Sequence, residues 1–286
     1  VRIPAVPRRA VRKRRKLLRT ATGRPYARPV LRILDARTGE PVPAAPARRG
    51  LTRIEAHASG PDPTALRVLL TADLLVRALE LGGTPVWTSL TAPRDQPELR
   101  TAGTRLGIRP FEFSRDLSSG LGEAQALHVV RWDAAESVGE GPVVAVAGVE
   151  WVPGAGGESA RDGSDAAVLA ALLSDPSALR LALLAVPRGE PVRLDPAALE
   201  EAARGLARWR RAVAGWARQP SRPVPGEVRD RLRAAWEDDL DLPAVLGVLR
   251  EVECAPGIPD GARFETYAYA DRLLALDLVR DLGSPA

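Results

Sequence analysis

Leu51–Leu90 reads LTRIEAHASGPDPTALRVLLTADLLVRALELGGTPVWTSL, and the fold follows from how this stretch divides. Leu51–Ala58 alternates loosely between apolar and polar residues, as a buried strand does, and Gly60-Pro61-Asp62-Pro63 ends it. Asp62 and Pro63 suit the N-cap and first position of a helix, because the carboxylate can accept a free amide and proline lacks an N–H that would go unpaired there. Leu66, Leu70, Leu74, Arg77 and Leu81 lie mostly at fourfold spacing. That spacing predicts an amphipathic helix over Thr64–Leu81, stopped by Gly82-Gly83. Pro85–Leu90 is the next strand. Strand, helix, strand in this order is a βαβ unit, which implies a parallel sheet with a right-handed crossover.

Upstream, Val30–Leu34 reads as a short strand followed by a turn at Asp35–Gly39, and Pro41, Pro43 and Pro46 keep the next stretch extended and irregular. Downstream, Glu98–Leu106 reads as a helix and Ala126–Trp132 as a strand. Pro142–Val152 is apolar enough for a single interior parallel strand. Pro153–Gly163 is glycine-rich, but its spacing fits neither a dinucleotide fingerprint nor a phosphate-binding loop, so it reads as a connector. From Ser164 onward the pattern is helical. Asp175-Pro176 and Asp195-Pro196 start two helices, Val228–Trp236 and Pro243–Val252 mark two more, and Phe264–Leu282 marks the last. These are expected to form an antiparallel bundle beside the sheet. The expected division is a basic, disordered arm over residues 1–29, a parallel-sheet domain over 30–163 and a helical bundle over 164–286.

The 286 residues include no lysine after Lys16, so 270 consecutive residues cannot supply a phosphate-loop or Schiff-base lysine. Arginine carries the remaining positive charge and cannot act as a base. Residues 1–24 hold ten basic side chains and no acid, which leaves a net charge of −5 on the rest. Such an arm could attract RNA by counterion release without reading its sequence. A second protein is the other partner expected. One cysteine excludes an internal disulfide, and no apolar run reaches the ~20 residues of a membrane span. A cytoplasmic location is expected by default. The chain opens on Val1 and holds no methionine, as expected when an alternative start codon is translated literally.

Several segments, in order, resemble the cysteinyl-tRNA synthetase family of class I aminoacyl-tRNA synthetases. Leu31–Pro43 (LRILDARTGEPVP) resembles the family's opening strand and turn, and Ser59-Gly60-Pro61 its Cys-Gly-Pro. Leu66–Gly83 is similar to the helix after the ATP motif, Asp175–Leu184 to the helix after the signature loop, and Ala235–Leu249 (AWEDDLDLPAVLGVL) to a run in the helical bundle. The resemblance implies a Rossmann-like parallel sheet of class I synthetase type followed by an α-helical bundle.

The departures from that family bear on activity. Ser59 stands where the resemblance implies a zinc cysteine, and serine is a poor zinc ligand. Only Asp62–Ala65 stands where the ATP-binding His-Ile-Gly-His motif is implied, and Glu158–Ser164 (ESARDGS) replaces the lysine-bearing signature loop. No catalytic, nucleotide-binding or metal-ligating residue is therefore expected. Thr91 and Ser59 remain as substrate-pocket candidates by resemblance alone. The expectation is a pseudoenzyme that has lost aminoacyl-adenylate formation, uses no cofactor and acts by binding or regulation. The alternative is a diverged ligase that uses ATP and Mg to activate a small amino or carboxylic acid without zinc. The family also includes a sister enzyme that joins cysteine to an amino sugar.

Other polar residues favour structural readings. His57 and His128, in predicted strands with no evident acid or metal partner, read as satisfied strand histidines, and Cys254 reads as unreactive. The acids Glu237, Asp238, Asp239 and Asp241 read as caps and salt-bridge partners. Arg204, Arg208, Arg210, Arg211 and Arg218 read as one solvated helix face.

Overall fold

A computed structural model of the chain describes residues 30–45, 51–93, 95–113, 123–154 and 165–283. The arm over 1–29, the replacement signature loop at 158–164 and most of the glycine-rich connector lie outside the described residues.

The centre is a five-stranded parallel sheet in the order β5-β4-β3-β6-β7. Its strands are β3 (Leu51–His57), β4 (Val86–Thr91), β5 (Glu112–Phe113), β6 (Glu123–Arg131) and β7 (Val143–Val146). Between β3 and β4 runs α1 (Pro63–Leu81), and between β4 and β5 runs α2 (Gln96–Arg105). The chain therefore steps outward from β3 through β4 to β5, then jumps back to lay β6 on the other side of β3. That reversal makes the β3–β6 boundary the topological switch point, where open α/β sheets place their ligand crevice.

Helix α1 is capped as its first residues dictate: Asp62 accepts from the Ala65 amide at 2.9 Å, Pro63 opens the first turn, and Gly83 leaves at φ +78°. The expected amphipathic character is corrected. Fifteen of its 19 residues are buried, because the sheet, α2 and two later helices pack around it. Its polar residues bring their own partners into that interior. Arg67 donates to four backbone carbonyls, those of Ala147, Val186, Pro187 and Glu190, at 2.7–3.2 Å. Burial draws its pKa down to about 10, which still leaves it charged near neutrality.

Pro142–Val152 is not one strand. It breaks at Ala147–Gly148, and β8 (Val149–Trp151) leaves the main sheet to pair in parallel with β9 (Val192–Leu194), a strand the helical pattern concealed. Arg67 and the Arg188 carbonyl explain the break, since the Ala147 amide donates to Arg188 O at 2.8 Å and the Ala147 carbonyl is taken by Arg67. The proline-rich stretch after the first turn is also ordered: β1 (Arg32–Leu34) pairs antiparallel with β2 (Pro41–Pro43).

The remaining helices are α3 (Asp165–Leu172), α4 (Pro176–Leu184), α5 (Pro196–Trp216), α6 (Gly226–Glu237), α7 (Leu242–Cys254) and α8 (Asp260–Leu274). Helix α8 stops eight residues before the expected Leu282. The Asp271 carboxylate takes the amides of Leu276 and Leu278 at 2.7 and 2.9 Å, and Ala275 turns left-handed at φ +48°. One apolar core runs without interruption from Leu31 through the sheet and α1 to Leu278.

Candidate functional site

Side chains alternate across a strand. On β3, Thr52, Ile54 and Ala56 are buried on one side, which leaves Arg53, Glu55 and His57 on the other. Register places Ser89 and His128 beside Glu55, and Thr91 beside His57, on that same side. The two α-helical crossovers among the described residues lie in the outward walk from β3 to β5, and the β6–β7 connection, with a 3-10 turn at Trp132–Ala134, brings Glu140 to this side. The polar stripe lies at the switch point.

His57 Nε2 is 3.0 Å from His128 Nδ1, with the rings 5.2 Å apart and inclined by 47°. His128 Nε2 lies 3.0 Å from the Glu140 carbonyl, which can only accept. This network assigns the His128 proton to Nε2. Its Nδ1 therefore presents a lone pair, and His57 Nε2–H donates to it. Glu55 completes the group, its nearest carboxylate oxygens 3.6 Å from His128 Nδ1 and 4.0 Å from His57 Nε2. The Thr91 hydroxyl donates to Glu55 Oε1 at 2.6 Å, and Arg53 Nη1 lies 3.7 Å from Glu55 Oε2.

Burial pushes His57 down to about 4, against the pull of Glu55, so the imidazole is neutral near pH 7. Burial also raises Glu55, but the Thr91 bond and neighbouring positive charge outweigh it and hold the carboxyl below its ordinary value. The result is one carboxylate facing two imidazoles, of which at least His57 is uncharged.

The loop before β7 sets the His128 tautomer. Gly141 sits at φ +122°, and a Cβ there would lie 2.2 Å from Ala126 O. Arg37 donates to the carbonyls of Ala135, Val138 and Gly141, pinning the loop so that Glu140 O meets His128. A cleft of about 720 Å³ opens over Arg53, Glu55, His57, Gln125, His128 and Glu140. Within the same region Ser89 Oγ and Gln125 Nε2 are buried with no hydrogen-bond partner among the described residues.

Of the pocket candidates, Thr91 is brought to the cluster through Glu55, whereas Ser59 is exposed beyond the end of β3. The zinc that the resemblance implies at Ser59 does not fit there, since an exposed alcohol replaces the thiolate and the one described group of clustered donors is Glu55, His57 and His128. His57 and His128 are satisfied strand histidines, as expected, but the expectation that they lack an acid partner is corrected: each is the other's hydrogen-bond partner, with Glu55 alongside. The signal in the sequence was the period-two stripe Arg53, Glu55, His57 on an otherwise buried strand. His128 was hidden because its place beside β3 is set 71 residues away.

The acidic run is structural, as expected. Asp239 pairs with Arg188 and accepts the Leu34 amide at 2.6 Å, Asp241 caps α7 at Ala244 N, and Glu237 pairs with Arg233. The five arginines of α5 and its end do not share one solvated face. Arg210 is buried and donates to the carbonyls of Leu276 and Asp277, at 2.7 and 3.0 Å. Cys254 is exposed at the end of α7.

Fold and cleft together define a parallel-sheet α/β protein with a polar crevice at its switch point. No protein-family model matches the chain. Over 76 residues, 27% of its length, it is 45% identical to an L-cysteine:1D-myo-inositol 2-amino-2-deoxy-alpha-D-glucopyranoside ligase of Parafrankia sp. (strain EAN1pec). That stretch spans 16% of the relative, so the likeness to a cysteine ligase is partial. Among the described residues no single helix is long and apolar enough to cross a membrane.

Proposed function

We propose that this chain is a binding protein on a cysteine-ligase-like scaffold that no longer forms an aminoacyl-adenylate. The observation that carries this reading is Asp62. In a ligase of this build the first turn of α1 must receive the negative charge of ATP. Here the chain's own carboxylate occupies that turn, one oxygen on the Ala65 amide at 2.9 Å and the other on Arg131 at 2.9 Å. Thr64 is turned away to accept the Val149 amide at 3.0 Å. A triphosphate brought there meets like charge, and no lysine lies in the folded body to offset it. Two measurements test the reading: cysteine-dependent ATP–pyrophosphate exchange, expected to be at background, and thermal unfolding with millimolar Mg-ATP, expected to show no shift. Sustained exchange would overturn it.

The partial identity to a named ligase favours a second reading, a diverged ATP-dependent ligase that activates a small amino or carboxylic acid without zinc. That reading requires a saturable Mg-ATP shift, so the same thermal measurement separates the two.

A further inference from the structure

We propose that Glu55, His57 and His128 form a site for a divalent first-row transition-metal ion at the β3–β6 boundary, with an open coordination position facing the cleft. The donor set is independent of Ser59 and of the reading of adenylate chemistry above.

Distances argue first. Metal–ligand bonds of about 2.0–2.1 Å in a tetrahedral arrangement separate the ligand atoms by about 3.3 Å. The two ring nitrogens are 3.0 Å apart, Glu55 approaches His128 through Oε2 at 3.6 Å and His57 through Oε1 at 4.0 Å, and one ligand atom from each residue lies within 4.8 Å of the others, so small side-chain rotations bring all three onto one ion. The arrangement rests on two adjacent strands, whose register holds it without any loop closing.

Chemistry argues second. Two imidazoles and one carboxylate select a borderline transition ion over Mg²⁺ or Ca²⁺, which take oxygen ligands. Two of the three donors are oriented by an outer partner, as metal ligands are. The Glu140 carbonyl fixes the His128 lone pair inward, and the Thr91 hydroxyl holds Glu55. When an ion enters, the His57 proton moves from Nε2 to Nδ1 of the same ring. Both facing nitrogens then present lone pairs and the ring stays neutral. Arg53, 3.7 Å from the carboxylate, opposes a dication and favours an anionic fourth ligand such as hydroxide or a carboxylate. The buried Ser89 hydroxyl, beside Glu55 on the same sheet face and without a hydrogen-bond partner among the described residues, is consistent with a ligand there.

The chain has only these two histidines, which makes the test clean. Full-length, tag-free protein carrying Cys254→Ser, to remove the exposed thiol, is titrated with Zn²⁺ by calorimetry and with Co²⁺ by visible absorbance. One equivalent should bind, with ligand-field bands for Co²⁺, a raised unfolding temperature with Zn²⁺ and no competition from millimolar Mg²⁺. His57→Gln, His128→Gln and Glu55→Gln should each weaken binding at least tenfold. Absence of saturable binding below millimolar Zn²⁺, or unchanged affinity in His57→Gln, would overturn the site. If His128→Gln fails to fold, as judged by circular dichroism, the partly exposed His57→Gln decides alone.

Discussion

Asp73 has no exposed side-chain surface, and three guanidinium groups converge on it: Arg77 at 2.8 Å, Arg180 at 3.1 Å and Arg109 at 3.8 Å. Arg180 is itself buried and spends its other N–H groups on the carbonyls of Leu106 and Leu274, so this one ion pair ties α1 to α4, α8 and the end of α2. Removing one partner strands the other charge in the interior. Asp73→Ala should therefore cost about 3–5 kcal/mol in urea unfolding, well above a surface acid such as Glu200. His57 makes a prediction of opposite origin. Its folded pKa of about 4 lies below the ordinary 6.5, so between those values the unfolded chain binds the extra proton. Stability of the metal-free protein should thus be full above about pH 6.5 and fall as pH drops toward 4, by about 2–3 kcal/mol. A His57→Gln variant should show a flatter profile in that window. The pairings behind both predictions were invisible locally, since Asp73 and Arg180 are 107 residues apart and His57 and His128 are 71 apart.

Helix starts were legible because they are local. Asp62, Asp175, Asp195 and Asp241 each accept the amide three residues on, at 2.8–3.0 Å, with proline in the first turn each time. Asp195→Ala should cost about 1 kcal/mol by thermal or urea unfolding, the ordinary value of an N-cap. Element ends were less legible. The stop of α8 comes from a side chain competing for backbone amides, and the break before β8 comes from Arg67 and Arg188 reaching in from other segments. Gly141 belongs to this scale too. Gly141→Ala forces a Cβ against Ala126 O in a left-handed backbone, so the loop must move and release Glu140 from His128. The expected outcome is destabilisation of more than 1 kcal/mol together with an altered His128 ring resonance in NMR.

Across the whole molecule the charge is divided, a basic arm of ten positive side chains preceding a body of net charge −5. If the arm engages RNA, deleting residues 1–24 should abolish a salt-dependent interaction, and affinity in the full chain should fall steeply with salt, each phosphate contact adding about 0.7 to the log–log slope on single strands. Affinity unchanged by the deletion would dispose of the arm as a binding element. Helix caps, the βαβ unit at residues 51–91 and the lack of lysine beyond residue 16 could all be read directly, because each depends on neighbours within a few positions or on composition. The parallel pairing of β3 with β6, the burial of α1 on nearly every side and the meeting of Glu55 with two histidines could not. Those depend on where the chain reverses across the sheet, and contacts between distant segments arise from packing the whole core, which no local pattern encodes.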